Sequence, residues 1–204
     1  MVDMQKSAYI NCDELEKIPP LNKENWLFEL DFLKNNLKSK ASVLQVGSMD
    51  GNRIIHILGV RPALKITGLE IEADFVKMAK EKISKTNLTA KFIHGDITAP
   101  QILPKFDYCI CLNNTLGYIP DEKAAIRGMK TLGNVVIISV YGEKFNDDLA
   151  KKYFKSIRLD IESIVENKIV LKDFGVVKRY TKNEVESWGG KIIESPVGYI
   201  VIIG

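Results

Sequence analysis

Between residues 42 and 141, five short runs of apolar and β-branched residues alternate with segments of helical periodicity. The runs read SVLQVG, LKITGLE, AKFIHGD, FDYCICL and NVVIISV. Strands hidden on both faces of a sheet show such near-continuous apolar runs, and parallel neighbours need a crossover, usually a helix, between them. The pattern therefore predicts an α/β fold: a doubly wound, Rossmann-like, mostly parallel sheet with helices on both faces. KIIES and GYIVIIG follow near the end of the chain, joined by a tight Ser195-Pro196 turn. Strands that close in sequence pair antiparallel, so the expected sheet has about seven strands and an antiparallel C-terminal one.

The intervening segments carry their own signals. Residues 1–20 are polar and end in Pro19-Pro20, which reads as an irregular arm. From Asn22 to Lys38, Trp26, Leu30, Leu33 and Leu37 recur at helical spacing, with Asn22 the expected N-cap. Residues 1–40 are thus expected to form an arm and helix that cap an α/β domain of residues 41–204. DGNRIIHIL, ADFVKMAKEKISK and DEKAAIRGMKTL read as further helices, with Phe75, Ala79 and Ile83 on one face of the second. A poorer, short helix is expected around Gln101. An insertion around 143–180 changes the pattern. There, KFNDDLAKKYFKSI is helical, and SIVENKIVLKDFGVVKRY gives two or three short strands turning at Glu166-Asn167 and Asp173. TKNEVESWGG opens a short helix with Thr181 as N-cap and Glu184 at the capping-box position.

Composition narrows the function classes. A net charge of +3, with no dense basic stripe interleaved with aromatics, gives no support to nucleic-acid binding. No apolar run approaches the length of a membrane span, and the N-terminus lacks a signal peptide's apolar core. Three cysteines without a disulfide spacing fit a reducing cytoplasm, with Cys109 and Cys111 as buried thiols on one strand face. His56 and His94 lack partners at metal-ligand spacing, so both are read as structural and no metal site is expected. Lys151, Lys152, Lys155 and Arg158 read as a solvated helix face. Nothing in the sequence specifies an oligomeric state.

Ligands of an open parallel sheet bind outside the carboxyl ends of its strands, at the switch point. Three strand ends here carry suitable chemistry. After the first, in VLQVGSMDG, Gly47 and Gly51 leave room against the main chain, although glycines also serve plain strand-to-helix turns. Glu70 closes the second strand, nineteen residues after Gly51, where a carboxylate can accept from both hydroxyls of a ribose. Asp96 follows the third strand, in FIHGDIT, where it can accept from an exocyclic adenine amine or cap the next turn.

In order, VLQVGSMDG, GLEIEADFVKMAKEK, FIHGDIT and FDYCICLNNTLGYI resemble the first four motifs of the class I S-adenosylmethionine-dependent methyltransferases. YTKNEVESWGGKIIES followed by GYIVIIG is similar to that family's last helix and antiparallel strand pair, so the resemblance spans roughly residues 40–204. It implies S-adenosylmethionine as cofactor and methyl transfer as reaction. NNTLGYI and VIISVYGEK resemble the family's small-molecule branch, which implies a small-molecule acceptor. On this resemblance the donor's contacts are Gln45, Gly47, Ser48, Met49, Gly51, Glu70, Ile71, Asp96, Ile97 and Asn113. Glu70 would hold the ribose, Ile71 would flank the adenine and Asp96 would meet its far end. Asn113, Asn114 and Tyr118 are the acceptor-side candidates; Asn114 serves equally to satisfy loop backbone, and Tyr118 to fill core. Tyr9 and Trp26 can fold over the donor, and Tyr141 and Tyr180 can reach an acceptor, with core packing the simpler role for the last three.

Two departures stand out. Gln45 replaces the family's acid and keeps an acceptor without the charge. Met49 replaces the middle glycine and is expected to keep an ordinary backbone, with its thioether beside the ligand. They motivate an alternative, a degenerate, non-catalytic binding module on the same fold. A nicotinamide-dependent oxidoreductase fits less well, because the run Gly-Ser-Met-Asp-Gly lacks the G-x-G-x-x-G fingerprint.

Overall fold

The computed structural model describes residues 16–100 and 103–204. Tyr9, Cys12 and the centre of the helix expected around Gln101 lie outside the described residues. The first described helix, α1 (Pro20–Asn36), starts two residues before the expected cap. Pro19 takes the N-cap position and Pro20 the first turn, where proline's fixed φ suits the helix and its missing N–H has no partner to lose. Asn22 consequently sits inside the helix and is buried.

An alternating series follows: β1 (Ser42–Val46), α2 (Asn52–Val60), β2 (Lys65–Glu70), α3 (Ala73–Ile83), β3 (Lys91–His94) and β4 (Phe106–Cys111). A 3-10 turn (Thr115–Tyr118), α4 (Glu122–Leu132) and β5 (Gly133–Tyr141) come next. The chain ends with α6 (Lys182–Glu186), β9 (Lys191–Glu194) and β10 (Gly198–Ile203). Seven strands form one sheet in the order β3-β2-β1-β4-β5-β10-β9. Strands β1 to β5 pair in parallel, and β10 runs antiparallel to both of its neighbours.

Strand alternation explains the two helical layers, since successive side chains point to opposite faces. Val43 and Ile110 join Leu33 of α1, Ile57 of α2 and Ala79 of α3 on one face. Leu44, Cys109 and Cys111 join Ala125 and Met129 of α4 and Val185 of α6 on the other. Trp26, Leu30, Leu33 and Leu37 are all buried, as their spacing predicts. Burial pushes the Cys111 thiol up to about 12 and the Cys109 thiol higher still, so both behave as inert core residues.

Between β5 and α6 lie α5 (Asp147–Ser156) and a second sheet of β6 (Ile161–Val165), β7 (Lys168–Leu171) and β8 (Gly175–Lys178), in that spatial order. Asn146 caps α5, and Glu166 and Asp173 turn the strands with left-handed backbones. Arg179 fastens this layer: its guanidinium donates to Asp147 at 2.7 Å, to the Phe145 carbonyl at 3.1 Å and to the Glu166 carbonyl at 2.6 Å. The Thr181–Glu184 capping box at α6 forms as the sequence predicts. Among the described residues no helix is long and apolar enough to cross a membrane.

Candidate functional site

Strands β2 and β3 lie on one side of β1 and β4 on the other, so the order of the sheet reverses between β1 and β4. A crevice opens at such a reversal because successive loops leave in opposite directions. Here the loops beyond the carboxyl ends of β1 to β4 line a cavity of about 590 Å³. The 3-10 turn, the end of α5 and the β7–β8 turn complete its wall.

The first loop folds back on the second strand. Gly47 and Ser48 both donate their N–H to the Leu69 carbonyl, at 2.9 and 3.2 Å. Gly47 has φ +67°, and a Cβ there would collide with the Thr115 side chain, so the turn and a packing contact both require glycine. Met49 also takes a left-handed backbone, with φ +47°. This corrects the expectation of an ordinary conformation at that position. Such a backbone costs about 1–2 kcal/mol for a residue with a Cβ. Two contacts offset it: the Met49 N–H donates to Glu70 Oε2 at 2.8 Å, and the side chain packs against an apolar cluster containing Tyr153 and Phe145.

Glu70 is the hub of the site. Its Oε1 accepts from the Ile71 and Glu72 N–H groups at 2.9 and 3.2 Å, beside the Met49 bond on Oε2. A carboxylate offers about four lone-pair positions, so one acceptor position is left over for a ligand. Burial holds the Glu70 carboxyl above its usual value, and the three backbone donors pull the other way. Beside it, Ile71 lines the cavity while remaining 59% exposed. The Ile71 carbonyl accepts from His94 Nε2 at 2.9 Å, which steadies this lip. Asp96 and Ile97 line the same end, and Asp96 Oδ1 also caps its own turn by accepting from the Thr98 N–H at 2.8 Å.

Across the switch point stand Asn113 and Asn114, both with left-handed backbones. Asn113 lines the cavity, and its Oδ1 accepts from the Tyr141 hydroxyl at 3.2 Å. Asn113 N–H donates to Glu29 Oε1 at 3.1 Å. Every charged residue lining the cavity among the described residues is acidic: Glu70, Glu72, Asp96 and Asp121.

Residues 43–133 match the sequence family described as a methyltransferase domain. The matched stretch is similar to that family over somewhat under half of the chain. It runs from β1 through α4 and contains Gly47, Glu70, Asp96 and Asn113. A carboxy-S-adenosyl-L-methionine synthase from Nautilia profundicola is 29% identical over 92 residues, 45% of this chain; the match spans only 39% of that protein. Among solved structures, the fold resembles an S-adenosylmethionine-dependent methyltransferase from Clostridium acetobutylicum, with TM-score 0.63 and 12% identity over 88% of this chain and 89% of that one. It resembles equally an S-adenosylmethionine-bound amino pentose methyltransferase from Micromonospora echinaspora, with TM-score 0.63 and 14% identity over 87% and 90% of the two chains.

The fold gathers Gly47, Met49, Glu70, Ile71, Asp96, Ile97, Asn113 and Tyr118 around the cavity. Four expected residues do not line it. Gln45 is buried, and alternation turns it away from the face of Val46, which does line the cavity. Ser48 turns onto β2, where it occupies the space a side chain at Gly68 would need. Gly51 is the left-handed residue before α2, packed against Phe92 and Ala79. Asn114 is fully buried: its amide donates to the Lys178 carbonyl at 3.1 Å and accepts from the Tyr141 N–H at 3.0 Å. It staples β5 to β8, the loop-satisfying role rather than the acceptor-side one. Trp26, Tyr141 and Tyr180 are core residues, Trp26 with its ring edge-on to His56 at 4.6 Å.

Sequence reading missed Glu29. This fully buried carboxylate of α1 pairs with Arg53 of α2 at 2.8 Å and accepts from Asn25, the Asn113 N–H and the Ser139 hydroxyl. Its spacing from Trp26 and Leu33 puts an acid on the apolar stripe of α1, and that mismatch is the available signal. Tyr153 and Phe174, which wall the cavity, gave no signal beyond being aromatic.

Proposed function

We propose that this chain binds S-adenosylmethionine in the cavity and transfers its methyl group to a small-molecule acceptor. The observation that carries the reading is the placement of Glu70, Asp96 and Asn113 at three successive strand ends around one crevice. The residues fit the donor. Glu70 keeps an acceptor position for ribose hydroxyls, Ile71 and Ile97 offer apolar surface for an adenine, and Asp96 keeps its second oxygen for an amine. The acidic lining suits a donor bearing sulfonium and ammonium charges. When bound, the donor supplies a methyl group already activated by its sulfonium. The chain's own work is to bind, orient and exclude water, and placement at near-attack distance replaces several kcal/mol of barrier. Asn113, fixed through Glu29 and Tyr141, is placed to meet the donor's amino acid part or the acceptor.

The carboxylate lining disfavours two other reactants. A nicotinamide dinucleotide brings a pyrophosphate, and carboxy-S-adenosyl-L-methionine, the compound in the Nautilia relative's name, brings an added negative charge. Neither finds a lysine or arginine along the cavity among the described residues. A second reading, the non-catalytic binding module, is favoured by Gln45 facing away and by three protein donors already on Glu70. We place the protein in the cytoplasm: Cys109 and Cys111 are separate buried thiols, as a reducing compartment permits. The deciding experiment incubates the protein with a metabolite extract and S-adenosylmethionine carrying a deuterated methyl group. Mass spectrometry should find a labelled small molecule that is absent with Glu70→Ala; donor binding without any labelled product would favour the binding module.

A further inference from the structure

The cavity has two chemically different halves. The loops after β1, β2 and β3 line one with Glu70 and Asp96. The other is walled by Tyr118, Ile119, Tyr153, Ile157, Leu159 and Phe174, contributed by the 3-10 turn, α5 with the segment after it, and the β7–β8 turn. The rings of Tyr118 and Phe174 meet edge to face, with centroids 6.1 Å apart and planes at 77°. Met49 packs on the same cluster, so its left-handed backbone delivers a thioether to the border between the halves. The chain has 29 lysines and arginines against 26 aspartates and glutamates. Yet none of the described basic residues lines the cavity, while four acidic ones do.

We infer that the aromatic half selects a ring-bearing, apolar acceptor that is neutral or cationic, and rejects anionic ones. The word acceptor rests on the donor reading above; the selection itself rests on the wall. Aromatic side chains supply apolar area with preferred edge and face geometries, and their faces attract cations. An anion entering this half leaves water without gaining a basic partner among the described residues, and it faces Asp121 at the rim and Glu70 and Glu72 beyond. A phosphorylated or carboxylated acceptor is therefore penalised twice, by lost hydration and by repulsion.

Three probes sharing one ring system isolate charge from shape: 2-naphthylmethylamine, 2-naphthol and 2-naphthoate. Each is titrated calorimetrically near neutral pH, with and without saturating S-adenosylhomocysteine. The amine and the naphthol should bind, and the naphthoate should bind at least about tenfold more weakly than the amine. Phe174→Ala, at a half-buried turn position, should weaken the amine about fivefold and leave S-adenosylhomocysteine affinity unchanged. Naphthoate binding as tightly as the amine overturns the inference, and so does S-adenosylhomocysteine binding with none of the three probes taken up. Ring probes that bind in the stated order while S-adenosylhomocysteine does not would uphold the inference and overturn the donor reading instead.

Discussion

At the scale of single residues, the site combines a strained methionine backbone with a carboxyl whose ionisation burial opposes. Met49 sits at φ +47°, so glycine there relieves strain while losing the thioether's packing, and a β-branched residue worsens the strain. Met49→Gly should stay within about 1 kcal/mol of the parent in urea denaturation, whereas Met49→Val should cost about 2 kcal/mol. Burial raises the Glu70 carboxyl above its usual 4.5. Its contribution to stability is thus fully present below 4.5 and is lost as pH rises through the raised folded-state value. Ligand binding runs the other way, because only the carboxylate accepts from a ribose at full strength. S-adenosylhomocysteine affinity should fall as pH drops through a midpoint above 4.5, and Glu70→Gln should bind weakly at neutral pH with that dependence flattened. Calorimetry across pH reads both effects. Glu70 and Asp96 were legible in the sequence because an acid directly after a buried strand has one place to go. The conformation of Met49 and the facing of Gln45 were not, since each is decided by a contact distant in sequence: Glu70 for the first, and the partition of β1 side chains between two layers for the second.

At the scale of elements, α1 does more than cover the sheet. Its Glu29 carries a carboxylate into the core and ties together α2, β5 and the loop after β4, whose Asn113 lines the cavity. Removing one member of a buried pair strands the other, which is far costlier than losing a surface contact. Glu29→Ala should destabilise the protein by about 3–5 kcal/mol, measured by urea denaturation, against the ~1 kcal/mol typical of a surface substitution. The apolar stripe of α1 and the capping box of α6 were readable because both are local patterns. The Glu29–Arg53 pair was not, since its partners lie 24 residues apart on different helices. The helix start was misplaced because Asn22 offered a familiar cap and Pro20 a better first turn.

At the scale of the whole molecule, alternation of buried strands with helices was enough to forecast the seven-stranded sheet, its parallel body and its antiparallel closing strand. Handedness and short connections leave few other arrangements for such a series. The second sheet was visible as a set of strands, but its service as a wall of the cavity was not. That depends on Arg179 and Asn114 drawing residues far along the chain towards the switch point. The proposed function has this crevice hold a methyl donor through Glu70 and Asp96. Titration with S-adenosylhomocysteine near neutral pH tests it most directly. Saturable binding at micromolar concentrations is expected, weakened at least about tenfold by Glu70→Ala and by Asp96→Ala. Heat at the level of the buffer control up to millimolar ligand, or an affinity unmoved by either substitution, would contradict it.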